Sequence, residues 1–183
     1  MKLLTFIFLL LVIGLYVPRY FIGFLAQKPS DYAGTAPLFD PRVNLGGKMM
    51  SEGILYGPTG KVVTTFVAEM NGDWQGDSAT LSENFRYDSG TVQARKWVIT
   101  MGQGGAFTAT ADDIIGTAKG QTSGNSLQMI YRLRLAPEAG GHVLDVVDWL
   151  YLTEDGTILN KSEMRKFGIK VAELVATIRP VEN

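Results

Sequence analysis

Residues Leu127-Gln128-Met129-Ile130-Tyr131-Arg132-Leu133-Arg134-Leu135 decide the fold. Leu127, Met129, Tyr131, Leu133 and Leu135 recur at every second position, with Gln128, Arg132 and Arg134 between them. Successive side chains of a strand point to opposite faces, so this period gives one apolar row and one solvated row. Val62, Thr64, Phe66, Ala68 and Met70 repeat the pattern. Outward from these stretches, runs rich in Val, Ile, Thr and aromatic residues alternate with turn chemistry. The turns are read at Pro58-Thr59-Gly60, Asn71-Gly72, Asp88-Ser89-Gly90, residues 102–105, Gly140-Gly141 and Glu154-Asp155-Gly156. Turns this frequent suit antiparallel hairpins, because parallel strands need a helical crossover between them.

Strands are predicted at 47–56, 61–70, 78–87, 91–101, 106–110, 116–120, 126–135, 143–152 and 168–178, and residues 157–165 read as either a further strand or a turn-rich connection. The region after residue 46 offers no helix to cover the apolar face, so the sheet has to bury that face against itself. The predicted fold is all-β, an antiparallel up-and-down barrel of the lipocalin or calycin kind with about 8 or 9 strands, preceded by an N-terminal hydrophobic helix. The 21 glycines suit the bends and bulges of such a barrel.

Ahead of the barrel, Lys2 precedes an uncharged apolar run over residues 3–17, then Pro18-Arg19-Tyr20 and a second apolar run over 21–26. Residues 1–26 are read as a membrane anchor or signal segment. Ala26 is preceded at the −3 position by Phe24, a poor cleavage site, so the uncleaved anchor is preferred, with Arg19 snorkelling to the headgroups and the domain outside. The alternative is a cleaved signal and a soluble periplasmic domain. Residues 27–45, with Pro29, Gly34, Pro37 and Pro41, are read as a linker, and residues 46–183 as the barrel domain.

The 183 residues include no Cys and one His, His142. These counts exclude disulfides, thiolate nucleophiles, Cys-ligated metals and any site needing two imidazoles. Residues 27–183 carry 15 basic and 18 acidic side chains, which gives no basic face for nucleic acid. There is no G-x-S-x-G elbow, no Walker A and no G-x-G-x-x-G leading from strand to helix. No cofactor or metal is implied.

A series of motifs runs through the body: Gly72-Asp73-Trp74-Gln75-Gly76, then Leu81-Ser82-Glu83-Asn84-Phe85-Arg86-Tyr87-Asp88-Ser89-Gly90, and Arg95-Lys96-Trp97. It continues with Ala111-Asp112-Asp113-Ile114-Ile115-Gly116-Thr117-Ala118-Lys119-Gly120, Ser123-Gly124-Asn125, Asp148-Trp149-Leu150-Tyr151 and Asn160-Lys161-Ser162-Glu163-Met164-Arg165-Lys166-Phe167-Gly168. In these pieces and their order, the stretch from Phe66 to Gly168 resembles the bacterial DUF3833 family, whose function is uncharacterised. The resemblance implies an exported or membrane-attached β-rich domain, often encoded near lipid-modifying enzymes. Many such proteins carry a lipoprotein cysteine, which this chain lacks; the helical anchor is left, in a bacterial cell membrane with the domain in the periplasm. The resemblance supplies no catalytic residues.

Candidate site residues follow from position. Phe66, Trp97, Tyr131 and Trp149 are expected to line an apolar interior, and Glu83, Arg95, Asp113, Asp148, Asn160 and Lys166 to form a polar cluster. Asp148 lies in an apolar run and is costly to bury alone, so Arg95, Lys166 or Asn160 is expected to partner it. Asp112 and Asp113 are adjacent and face opposite sides of a strand, which rules out a paired dyad. Gly72-Asp73-Trp74 has the G-x-W form of lipocalins but sits at the end of the second strand, and is read as a hairpin glycine beside a core tryptophan. His142 is read as an exposed hairpin residue. The expected function is a membrane-tethered barrel binding a lipid or acyl chain. One alternative is a filled barrel acting as a structural or partner-docking module. Another is an accessory enzyme of lipid modification, with Glu83, Asp113 or Asp148 as base and Arg95 or Lys166 as electrostatic partner.

Overall fold

The alternating rows pair into ten strands: β1 (Gly47–Tyr56), β2 (Val62–Gln75), β3 (Ser78–Tyr87), β4 (Val92–Met101), β5 (Ala106–Thr110), β6 (Ala118–Ser123), β7 (Ser126–Arg134), β8 (Val143–Leu152), β9 (Ile158–Lys166) and β10 (Ile169–Pro180). The computed structural model describes residues 2–16 and 22–181. Every strand is antiparallel to its neighbour in sequence, and β10 pairs with β1 from Met49↔Pro180 to Tyr56↔Glu173, closing the barrel. The inner rows form one core that includes Met49, Phe66, Met70, Leu81, Trp97 and Leu150. Two glycines are set by close approach across the ladder. The Phe66 ring lies over Gly53 and the Phe107 ring over Gly120, where a Cβ on either glycine would collide with the ring.

The strand number corrects the expectation of 8 or 9: there are ten, because the region read as either a strand or a turn-rich connection forms β9 (Ile158–Lys166). β9 is polar on both faces, with Asn160 and Ser162 on one and Lys161 and Glu163 on the other, so it lacks the apolar row that marks a strand. Its hairpin to β10 turns on Phe167-Gly168, both at positive φ (52° and 76°), the backbone of a type I′ turn without the usual Asn-Gly signature. Asn71-Gly72 is not a turn either. β2 runs on to Gln75, and Gly72 admits the Leu45 carbonyl, which a Cβ there would strike.

The N-terminal third corrects the localisation. Helix α1 (Lys2–Tyr16) has 15 residues, and among the described residues no helix is long and apolar enough to cross a membrane. At ~1.5 Å per residue α1 spans about 22 Å, short of a hydrocarbon core of about 30 Å. The expected single-pass anchor is overturned by this length. Residues 17–21, including the Arg19 assigned to the headgroups, lie outside the described residues.

Residues 24–45 pack along the barrel. Tyr32 sits 5.3 Å from the Trp149 ring and 5.6 Å from Tyr151 on the outer face of β8, and the Tyr151 hydroxyl donates to Gln27 at 2.7 Å. The chain then crosses one barrel end. The Phe39 amide donates to the Gly124 carbonyl at 2.8 Å, and the short helix α2 (Pro41–Asn44) is capped by the Asp40 carboxylate, which accepts from the Arg42 amide. Phe39, Pro41 and Leu45 are buried there, and the Trp74 indole donates to the Leu45 carbonyl at 3.2 Å.

Phe167 is 89% exposed, so its side chain gains little from packing while its backbone holds a conformation costly to a bulky residue. Phe167→Asn is expected to raise stability by about 1 kcal/mol in urea denaturation. Unchanged or lower stability would show that the turn is relaxed with Phe in place.

Candidate functional site

Inward-pointing side chains from most of the strands surround a cavity of about 150 Å³ along the barrel axis. Pro41 and Leu45 close it at one end, Phe85, Leu133, Met164 and Leu174 stand at the other, and Phe66, Met70, Leu81, Trp97 and Phe107 contribute to its apolar wall. Ten strands account for the space. An eight-stranded barrel is just wide enough for its own side chains, and diameter grows with strand number.

Polar groups meet in the middle of this wall. Glu83 on β3 and Arg95 on β4 are direct cross-strand partners on the inner face. They do not pair with each other. The Arg95 Nε lies 3.1 Å from the Asp113 carboxylate in the β5–β6 connection, and its guanidinium stacks over Trp97 at 4.3 Å from the ring centroid, with the Tyr131 ring at 5.8 Å. Glu83 Oε2 and Arg95 Nη2 are both buried without a hydrogen-bond partner among the described residues. Across the lumen, Asp148 on β8 accepts from Asn160 Nδ2 and, at 2.6 Å, from the Ser162 hydroxyl, both on β9.

The electrostatics follow from burial. Burial pushes the Glu83 carboxyl up to about 7; Arg95 pulls against that shift, and Asp148 and Asp113 add to it. Asp148 is also raised by burial, which outweighs its hydrogen bonds from Ser162 and Asn160 and the pull of Arg95. Burial likewise raises the Tyr131 hydroxyl, with Asp148 adding to the effect. Burial opposes the charge on Arg95, but Tyr131, Glu83 and Asp113 more than offset it. One guanidinium therefore faces three carboxyl groups in a low-dielectric space, and the Glu83 proton is exchangeable near neutral pH.

The structure gathers most of the sequence-predicted residues. Phe66, Trp97 and Tyr131 line the cavity, as do Glu83, Arg95, Asp148 and Asn160, and Asp113 reaches in through Arg95. Asn160 is the partner that Asp148 needs. Trp149 is not in the lumen. It follows Asp148 directly, so it points outward, where it is fully buried under Tyr32 and stacks on Tyr151. Lys166 is not in the cluster either. It lies at the far rim, where its Nζ meets the His142 Nδ1 at 2.8 Å. The residues that sequence reasoning missed are Ser162, hidden in the unassigned β9, and the end plug Pro41 and Leu45, hidden in a stretch read as linker.

The family described as "Protein of unknown function (DUF3833)" matches residues 19–180. No curated protein matches the sequence. Among solved structures, the S-type phycobiliprotein lyase CPES from Guillardia theta aligns with a TM-score of 0.54 at 6% identity, over 76% of this chain and 90% of that one. Rv2717c from M. tuberculosis aligns with a TM-score of 0.55 at 14% identity, over 81% of this chain and 99% of that one. At such identities the likeness is one of fold, a closed antiparallel barrel of the lipocalin or calycin type.

The raised Glu83 has a signed consequence for stability. Its folded value of about 7 lies above the ordinary 4.5, so the folded state holds a proton that the unfolded chain releases. That contribution is complete below pH 4.5 and is lost as pH rises through 7. At about 1.4 kcal/mol per unit it amounts to about 3 kcal/mol. The groups facing Glu83 are Arg95 and Trp97 from β4, Asp113 from the β5–β6 connection, Asp148 from β8, Tyr131 from β7 and Tyr87 on its own strand. Glu83→Gln is expected to melt higher than the native chain at pH 8 and to flatten the decline between pH 5 and 8. Parallel thermal melts that keep the same slope would place the titrating proton elsewhere.

Proposed function

The chain belongs to the DUF3833 family, and since that family's description assigns no activity we propose, from the lumen itself, that the barrel binds a small, mainly apolar molecule. The observation that carries this reading is a cavity lined largely by apolar side chains, into which Glu83 and Arg95 present buried polar atoms with no protein partner. Binding sites have this composition, an apolar wall with a few placed polar groups. Cores generally do not, because an unsatisfied buried polar atom costs about 1–3 kcal/mol.

The volume narrows the ligand. At about 150 Å³ the cavity lies below the ~300–1,000 Å³ of drug-sized pockets and matches a cavity that takes up benzene. The occupant is a single-ring molecule or the end of a longer chain; a whole lipid exceeds the space. A barrel filled by its own aromatics fits less well, since about five water volumes remain at ~30 Å³ each.

A saturating single-ring hydrocarbon such as toluene is expected to raise the melting temperature through mass action on the folded state. Leu133→Trp, which places an indole across the cavity, is expected to abolish that rise in a chain that still folds. An equal rise in Leu133→Trp, or no rise with any single-ring probe, would refute binding in the lumen.

Convergence of Glu83, Asp148 and Arg95 on one cavity also favours a second reading, acid–base catalysis with Glu83 as the exchanging group, because a carboxyl near 7 suits proton transfer at neutral pH. Under that reading, a substrate bound equally by the native chain and by Glu83→Gln is turned over only by the native chain. Equal turnover would exclude Glu83 as the base.

A further inference from the structure

The two unpartnered atoms in the lumen have opposite hydrogen-bonding sense. Glu83 Oε2 accepts and Arg95 Nη2 donates, and the residues that carry them are direct cross-strand neighbours on the inner face. The neighbouring groups engage other parts of the cluster, with the buried Tyr131 hydroxyl beside Arg95 and the Trp97 side chain beside Glu83. Asp113 holds the Arg95 Nε, Trp97 covers the guanidinium face, and Asn160 and Ser162 occupy Asp148. A guest's polar end therefore has one acceptor and one donor left to satisfy, on adjacent strands of an apolar tube.

Elimination then sets its chemistry. A carboxylate would accept from Arg95 but would find a donor at Glu83 only with that carboxyl protonated, and it would bring a further negative charge among Glu83, Asp113 and Asp148. An ammonium group would donate to Glu83 but would leave Arg95 without an acceptor, beside a like charge. A pure hydrocarbon would fill the tube and leave both atoms unpaired. A neutral group that both donates and accepts meets both needs at no electrostatic cost. We infer that the guest of this barrel is a neutral alcohol or amide with a ring-sized apolar body, its polar end bridging Glu83 Oε2 and Arg95 Nη2. This rests on the reading that the lumen binds a small molecule and goes beyond it in assigning the head group.

Four probes of one shape test the assignment at pH 7.5: benzyl alcohol, benzoate, benzylamine in its ammonium form, and toluene. Binding to the native chain is measured by titration calorimetry, with melting temperature as a second readout. Benzyl alcohol is expected to bind on the order of tenfold more tightly than each of the other three, the scale set by a buried partner left unmatched. In Glu83→Leu, which removes the acceptor, the advantage of the alcohol over toluene is expected to vanish. Should that variant not fold, the comparison of the four probes on the native chain decides alone. Benzoate or benzylammonium binding as tightly as the alcohol, or toluene matching it, would overturn the head-group assignment while leaving the lumen as a binding site. Failure of all four to bind would overturn the binding site itself.

Discussion

The ladder between β1 and β10 is the constraint on which the rest of the molecule depends. After residue 46 the chain supplies strands and turns but no helical layer, so its apolar inner rows leave water only when the last strand returns to the first. Closure also removes both sheet edges, which in an open meander would present rows of unpaired amides and carbonyls. Once ten strands are joined in this way the tube is wider than its own side chains fill. The ends then become the problem. One is met by residues 39–45, whose buried Phe39, Pro41 and Leu45 stopper the barrel, and whose position is fixed by the Trp74 indole and by the absence of a side chain at Gly72.

Inside the tube, the polar group is arranged unlike a structural ion pair. Buried ion pairs seldom stabilise a fold more than apolar residues of the same volume would, and they remain tolerable only when every member is satisfied. Asp148 meets that condition, held by Asn160 and Ser162; Arg95, anchored at Nε by Asp113 and at its face by Trp97, leaves Nη2 without an acceptor and falls short of it. So does Glu83. It is nearly fully buried and keeps an acceptor without a donor, although a guanidinium stands opposite on the next strand. A barrel selected for stability alone would place leucine there. Among the described residues Trp149 Nε1 and Arg165 Nε are also buried without a partner, but only Glu83 and Arg95 of these line the cavity.

Much of this was legible in the sequence where one face is apolar and the other is not. β2 and β7 alternate cleanly, and Phe66 and Tyr131 fall on the cavity side as the period requires. β9 failed for the reason that makes it useful: its inner face carries Asn160 and Ser162 to hold Asp148, so the apolar row is missing. Trp149 failed differently. Residues 143–152 are apolar on both faces, the inner one for the core and the outer one for Tyr32, so hydrophobicity alone does not choose between them. The period of two does choose, since Asp148 and Trp149 are adjacent and cannot share the lumen. The pairing of Glu83 with Arg95 across β3 and β4 required the register, which no single-strand pattern contains.

The two ends of the barrel differ in what holds them closed. At the plugged end, backbone and side-chain hydrogen bonds tie the stopper down, from Phe39 to Gly124, from Arg42 to Asp77 and from Trp74 to Leu45. A guest entering there would have to break several of them together. At the other end the cavity is bounded by the side chains of Phe85, Leu133, Met164 and Leu174, which can change rotamer without loss of a hydrogen bond. The β5–β6 connection also stands at that end, carrying Asp113, and is joined to β7 where the Ile115 amide meets the Arg132 carbonyl and the Arg134 amide meets the Asp113 carbonyl. Asp113 is bonded to the Arg95 guanidinium, so the ion pair ties the charged centre of the cavity to the rim connection.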